Sequence, residues 1–212
     1  VLALAGALVA GAALAAARPG GDAAAELPGT SSVPPEVRAA VPLVRSAGCG
    51  SPVQGSGVVV ARNGVPRLVT NAHVVAGEEA VSVDGVRAPV LAVSRGRDVA
   101  VLAPPPGVVP LETGPAPERG AAVRVLGHPG GRFDATEGRV VASSRRSGPG
   151  GAADVLLLDV PVRGGSSGGA VLDVSDRVVG IVVARDPASG GAVAYPVDAA
   201  VDLGTATTLE RC

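Results

Sequence analysis

The first apolar stretch, Val1 to Ala17, contains no polar position, and Arg18-Pro19-Gly20-Gly21 ends it. At a helical rise of about 1.5 Å per residue it spans roughly 25 Å, just short of a bilayer core of ~30 Å. Two readings place the remainder outside the cytoplasm: a transmembrane helix continued upstream, or a signal-peptide core with Ala15-Ala16-Ala17 as its cleavage site. A buried helix is the third. Residues 18–48 read as a tether, because Gly20 to Pro35 is rich in Pro, Gly, Ala and Ser and shows no apolar period. Within it, Val33 to Val44 has the makings of a short helix or an extended lead-in.

From Gln54 the pattern changes to short β-branched runs broken by Gly, Pro and Asp. Strands are expected at Gly57 to Ala61, Arg67 to Thr70, Val86 to Val93, Val99 to Leu102, Ala122 to Gly127, Arg139 to Ala142, Val155 to Leu158, Val178 to Val183 and Ala192 to Tyr195. This spacing predicts an antiparallel all-β architecture. The proline-rich stretch Pro104 to Pro117 divides the runs into two sets, about 50–103 and 118–197, which predicts two barrels with a linker between them. Asp198 to Leu209 has the mixed pattern of a short C-terminal helix, weakened by Gly204.

Composition narrows the partners. The chain of 212 residues is 47% hydrophobic with a mean hydropathy of +0.40, so it has a core to bury. Phe133 and Tyr195 are its only aromatics, which leaves Val, Leu, Ala and Ile to build that core. A net charge of -1 without a basic cluster argues against nucleic acid. Cys49 and Cys212 bracket the strand-rich region. An even pair outside the cytoplasm points to a bridge, with two unrelated thiols as the alternative. Such a long loop corresponds in the chain-entropy account to at most about 5 kcal/mol. Two Cys and two His at scattered positions do not make a metal site.

Three short segments carry chemistry. Gly164-Gly165-Ser166-Ser167-Gly168-Gly169-Ala170 suits a serine nucleophile, since glycines permit the tight turn and the convergence of N–H groups on an oxyanion. In Thr70-Asn71-Ala72-His73-Val74-Val75, one of only two histidines follows an expected strand. Asp98 precedes the apolar run Val99-Ala100-Val101-Leu102, where an inward carboxylate needs a hydrogen-bond partner such as an imidazole. His73, Asp98 and Ser167 occur in the order His, Asp, Ser, which differs from the subtilisin and α/β-hydrolase orders.

These boxes resemble those of the trypsin-like (chymotrypsin-fold) serine proteases, especially the bacterial HtrA/Deg branch: T-x-A-H-V-V, D-x-A-[VL]-L and G-[ND]-S-G-G. The similarity extends to the membrane-anchored acid-resistance proteases of mycobacteria and other actinobacteria, in which a long-range disulfide closes the extracytoplasmic domain. The apolar start, the tether, Cys49 and Cys212, and Gly127-His128-Pro129-Gly130-Gly131 carry that part of the likeness, which covers about Gly48 to Cys212. It implies two antiparallel six-stranded β-barrels over residues 49–212. It further implies His73, Asp98 and Ser167 as catalytic residues, the N–H groups of Gly165 and Ser167 as an oxyanion hole, and a Cys49–Cys212 bridge. No cofactor is implied.

The departures are informative. Ser166 stands where the family has Asp or Asn, which makes it a rival nucleophile, and His128 occupies a turn position that is usually aromatic or amide. No trypsin-style activation sequence is present, and too few residues follow Ser167 for a PDZ domain in this chain. Pro161, six residues before Ser167, takes the place of trypsin's specificity acid, so no Arg/Lys preference is expected. By resemblance Val183, Ala184 and Arg185, with Val193, Ala194 and Tyr195, wall a pocket for a modest apolar side chain. The expectation is an extracytoplasmic serine endopeptidase acting on cell-envelope proteins and held to the membrane through its N-terminal helix. A catalytically inactive peptide-binding scaffold is the alternative. If the two cysteines are bridged, native protein should take up no thiol reagent until it is reduced, whereas labelling without reduction would show free thiols.

Overall fold

The computed structural model describes residues 33–47, 51–76, 81–148 and 151–201. The apolar run 1–17, the tether up to residue 32, Cys49 and Cys212 lie outside those residues. Among the described residues no helix is long and apolar enough to cross a membrane.

Helix α1 (Pro35–Ala39) and strand β1 (Leu43–Ser46) come first. The segment expected to close the tether is therefore folded. Val37, Val41, Leu43 and Val44 explain why: each turns an apolar side chain inward and is buried. Strands β2 (Val53–Ser56), β3 (Val58–Arg62) and β4 (Val65–Thr70) follow, then the single turn α2 (Ala72–Val75). Strands β5 (Val81–Val83), β6 (Val86–Arg87), β7 (Val90–Ser94) and β8 (Val99–Leu102) complete the N-terminal half.

This half does not close as one hydrogen-bonded barrel. It pairs as two four-stranded sheets, in the orders β2-β1-β5-β6 and β3-β4-β8-β7. The expected strand Val86 to Val93 is broken at Pro89, which has no N–H to give to a ladder. Gly57 separates β2 from β3 differently, its N–H leaving the ladder for Pro42 O at 3.0 Å. At each corner the chain leaves an edge of one sheet and enters an edge of the other. Between the sheets lies a core that includes Val44, Val59, Leu68, Val83, Val93 and Leu102. A Cβ on Gly57 would stand 2.7 Å from Leu68 Cδ1 and 3.2 Å from Val44 Cγ2, so the bend sits directly against this core.

The C-terminal half closes fully. Strands β9 (Ala122–Gly127), β10 (Asp134–Gly148), β11 (Gly151–Pro161), β12 (Ala170–Leu172), β13 (Val178–Arg185) and β14 (Gly191–Pro196) form a barrel in the order β10-β11-β14-β13-β12-β9. Its core is small and aliphatic, with Leu156, Leu158, Val171 and Val182 among its members. Helix α3 (Val197–Val201) starts directly after β14, at the near end of the expected C-terminal helix.

A third apolar cluster joins the halves, combining Val41, Val58, Val69 and Val101 with Leu126, Leu172, Val178 and Ile181. The proline-rich linker is bonded to both. Leu111 N–H donates to Val59 O at 2.9 Å, while Val178 N–H donates to Glu112 O at 2.8 Å. Replacing Gly57 by alanine should cost about 1–3 kcal/mol, since the added methyl overpacks the corner. Urea titration should show the lower midpoint, and an unchanged midpoint would mean that the bend is not constrained by the core.

Candidate active site

The strands deliver the three chemical segments to the junction of the halves. His73 is in the single turn α2, with Ala72, Val74 and Val75 buried around it and its imidazole side chain 47% exposed. Its Nδ1 lies 2.7 Å from Asp98 Oδ2, and its backbone N–H donates to Asp98 Oδ1 at 2.9 Å. Both carboxylate oxygens are thus committed to one residue, which sets the ring's direction. Asp98 itself is held from behind, because Asn71 Nδ2 donates to its carbonyl at 2.9 Å. It adopts a left-handed backbone with φ of 51°, a conformation that aspartate tolerates better than most residues.

Ser167 is half-exposed, whereas Ser166 is buried at 6% and its Oγ accepts from Arg163 N–H at 3.4 Å. Of the two neighbouring serines, only Ser167 faces solvent. Gly55 lies between α2 and the serine loop: a Cβ there would be 2.6 Å from Val74 Cγ2 and 3.0 Å from the Ser167 carbonyl. Gly168, with φ of +82°, packs against Ser56 O and Thr70 Oγ1, so no side chain fits there.

The backbone of the loop is ordered by its carbonyls. Gly164 O accepts from Gly130 N–H at 2.9 Å, Gly165 O from the Ser56 hydroxyl at 2.7 Å, and Ser166 O from Gly169 N–H at 2.9 Å. Ser166 N–H turns back to Arg163 O at 3.0 Å. Among the described residues, the N–H groups of Gly165 and Ser167 have no protein acceptor. Both donors are left without a partner in a loop whose carbonyls are paired.

A groove of about 780 Å³ has Val183, Ala184, Val193 and Tyr195 in its lining together with Arg97, Arg145 and Arg146, but none of His73, Asp98 and Ser167. His73 and Asp98 line a separate hollow of about 220 Å³ with Ala72, Ala76, Val93 and Arg95. Burial pushes the Tyr195 phenol above its usual range, and the Asp98 carboxylate adds to the effect. Two expected wall residues stand differently. Arg185 is exposed and does not line the groove, and Ala194 is fully buried in the barrel core, since strand alternation turns it away from its neighbours Val193 and Tyr195. The arms of β10 and β11 that add Arg145 and Arg146 were not foreseen. Arg146 is tied to Asp186 at 3.0 Å and Arg145 to Asp154 at 3.4 Å.

His128 plays a different part from His73. Its ring is buried, meets Phe133 edge-on with centroids 5.5 Å apart, and has no partner for Nδ1. Among the described residues no cluster of His, Cys, Asp or Glu could hold a metal ion.

The trypsin-like peptidase domain matches residues 55–181. The chain belongs to that family. It is 38% identical over 164 residues to the serine protease Rv3671c of Mycobacterium tuberculosis H37Rv, covering 68% of this chain and 40% of that protein. It is 36% identical over 151 residues to a probable periplasmic serine endoprotease, DegP-like, of Brucella suis, covering 66% of this chain and 29% of that protein. The chain thus spans less than half the length of these relatives. Among solved structures, the active form of the M. tuberculosis Rv3671c protease superposes with a TM-score of 0.72 at 31% identity, covering 82% of this chain and 84% of that one. The HtrA-type protease AlgW carrying a substitution, solved with a tripeptide, gives 0.69 at 26% identity, covering 78% of this chain and 58% of that one.

Burial lowers the His128 pKa from its ordinary 6.5; Asp84 opposes this, and Arg38 and Arg45 reinforce it. A histidine buried in its neutral form protonates more readily in the unfolded chain. Its contribution is therefore intact above about pH 6.5 and is lost as pH falls towards the lowered native pKa. Denaturant titrations should show stability declining below pH 6.5 and a shallower decline in His128→Gln. An equal slope in both proteins would place the acid sensitivity elsewhere.

Proposed function

We propose that the chain is a serine endopeptidase domain that hydrolyses peptide bonds through Ser167, His73 and Asp98. The observation that carries this reading is the doubly bonded His73–Asp98 pair, in a fold that also exposes Ser167 beside two unpaired N–H groups. Ser167 Oγ attacks the scissile carbonyl while His73 Nε2 takes its proton. The same nitrogen later returns a proton to the leaving amine, and water repeats the cycle on the acyl-enzyme. Asp98 accepts from Nδ1–H, keeps the ring in the required tautomer and stabilises the imidazolium. Gly165 and Ser167 N–H groups receive the oxyanion.

The two sheets of the N-terminal half serve as the first barrel of a chymotrypsin-type pair, opened at its corners. The groove beside Val183 and Ala184 takes the substrate chain, with small apolar walls suited to a modest side chain. The named relatives include a periplasmic endoprotease, which supports an extracytoplasmic site of action on envelope proteins. A membrane anchor at residues 1–17, the tether and a Cys49–Cys212 bridge complete the proposed organisation.

A fluorophosphonate should label the protein at Ser167 and not at Ser166, because labelling needs an activated hydroxyl next to a formed oxyanion hole. Ser167→Ala should abolish labelling and cleavage of a denatured protein substrate without lowering stability by more than about 0.5 kcal/mol. Asp98→Asn should reduce kcat by about 10⁴, through the wrong imidazole tautomer. Folded wild-type protein that remains unlabelled between pH 5 and 8 would overturn the endopeptidase and favour a peptide-binding scaffold.

A further inference from the structure

Ser56 is completely buried at the end of β2, and each of its polar groups is occupied. Its N–H donates to Ser167 O at 2.7 Å, and its carbonyl accepts from Thr70 Oγ1 at 2.6 Å. Its hydroxyl donates to Gly165 O at 2.7 Å and accepts from His128 N–H at 2.8 Å. The direction of these last bonds is unambiguous. A backbone carbonyl only accepts and a backbone N–H only donates, so the hydroxyl proton points to Gly165.

We propose that Ser56 is a positioning residue for the oxyanion hole, its hydroxyl fixing both sides of Gly165: the following peptide directly through Gly165 O, and the peptide that carries the Gly165 N–H through the His128 turn, whose Gly130 N–H holds Gly164 O. This rests on the reading of Ser167 as nucleophile and Gly165 as donor. Gly164 and Gly165 are adjacent, and Gly165 has φ of +98°, so little in the loop's own chemistry prevents its peptide groups from rotating. Two anchors prevent it: Gly130 N–H on the carbonyl of Gly164, and the Ser56 hydroxyl on the carbonyl of Gly165. The Gly165 N–H lies in the same planar peptide as the Gly164 carbonyl, so the bond from Gly130 sets its direction, while the Ser56 hydroxyl holds the next peptide, Gly165–Ser166, and fixes the other side of the Gly165 Cα.

Ser56 supplies the side-chain anchor of this pair, and its place in the chain suits the task. It precedes the Gly57 bend, so its backbone belongs to the N-terminal half while its hydroxyl reaches into the C-terminal half. The same oxygen takes the N–H of His128, whose carbonyl packs against Gly165 closely enough to exclude a side chain there. Loss of the hydroxyl releases the Gly165 carbonyl and the His128 turn together.

The test uses Ser56→Ala and the near-isosteric Ser56→Cys, whose thiol is a weak donor. Both keep Ser167, His73 and Asp98. In Ser56→Ala, kcat should fall by about tenfold to a hundredfold, short of the full loss of an oxyanion donor, with KM within about threefold of wild type. A peptide boronate, which places an oxygen in the hole, should weaken by the same factor as kcat, while a product peptide should bind unchanged. Ser56→Cys should fall between the two. A merely structural serine would lower the melting temperature without separating boronate from product peptide.

The inference is overturned if a variant that keeps its fold retains wild-type kcat and boronate affinity within twofold. It is equally overturned if neither variant folds, since the hydroxyl would then serve stability. Should wild-type protein itself be inert, the endopeptidase reading fails, and the positioning role is read from the amide resonances of Gly165 and Ser167. Those should shift or broaden in Ser56→Ala while β3 amides stay in place. Unmoved resonances would overturn the role independently of activity.

Discussion

The site depends on a single requirement: backbone groups from segments far apart in the chain must meet around one buried serine. Ser56 is bonded to Thr70, His128, Gly165 and Ser167, which join the segment leading to His73, the 128–131 turn and the serine loop, while Asp98 is tied in through His73 and Asn71. Buried polar groups that are left unpaired are costly, so this junction tolerates little slack. The surrounding glycines follow from it. Gly55, Gly165 and Gly168 are each pressed against a neighbouring backbone or side chain at the position where a Cβ would stand.

A core of small aliphatic residues suits such a junction. Without Trp or Met, and with Phe133 and Tyr195 as the only aromatics, the halves fill their interiors with many short side chains. Backbone groups then do the positioning where the halves meet, as Ser56 N–H does on Ser167 O at 2.7 Å. His73 shows the same economy: its direction comes from one carboxylate, whose own place comes from Asn71 and a left-handed turn. The chemistry is arranged by hydrogen bonds of fixed direction more than by bulk.

Most strands were legible because their apolar runs are continuous. Val99–Leu102 and Ala122–Gly127 have the expected bounds, since every residue in them is buried. Strands β10 and β11 were underestimated, because Ser143-Ser144-Arg145-Arg146-Ser147 is polar and pairs as a hairpin arm beyond the apolar core. Strand β1 was hidden in a segment whose neighbours are rich in Pro and Gly. Hydrophobic patterning also missed the open pairing of the first half, for Gly57 and Pro89 decide how ladders end without changing the apolar pattern. Within the candidate site, His73, Asp98 and Ser167 were visible as motifs, whereas Ser56 offers no periodicity or spacing that marks it. Its importance is a matter of which carbonyl lies opposite its hydroxyl.

The bonds that meet at Ser56 connect residues 72 and 109 positions apart. Contacts of such sequence separation form late, after the intervening chain has closed its loops. The N-terminal half carries His73 and Asp98, yet a growing chain that has reached only that point has neither serine loop nor hole. On the proposed mechanism, hydrolytic power arises only when both halves have docked, and it vanishes as soon as they part. On that mechanism a copy whose halves have not docked is inert, and activity reports completed folding of both halves.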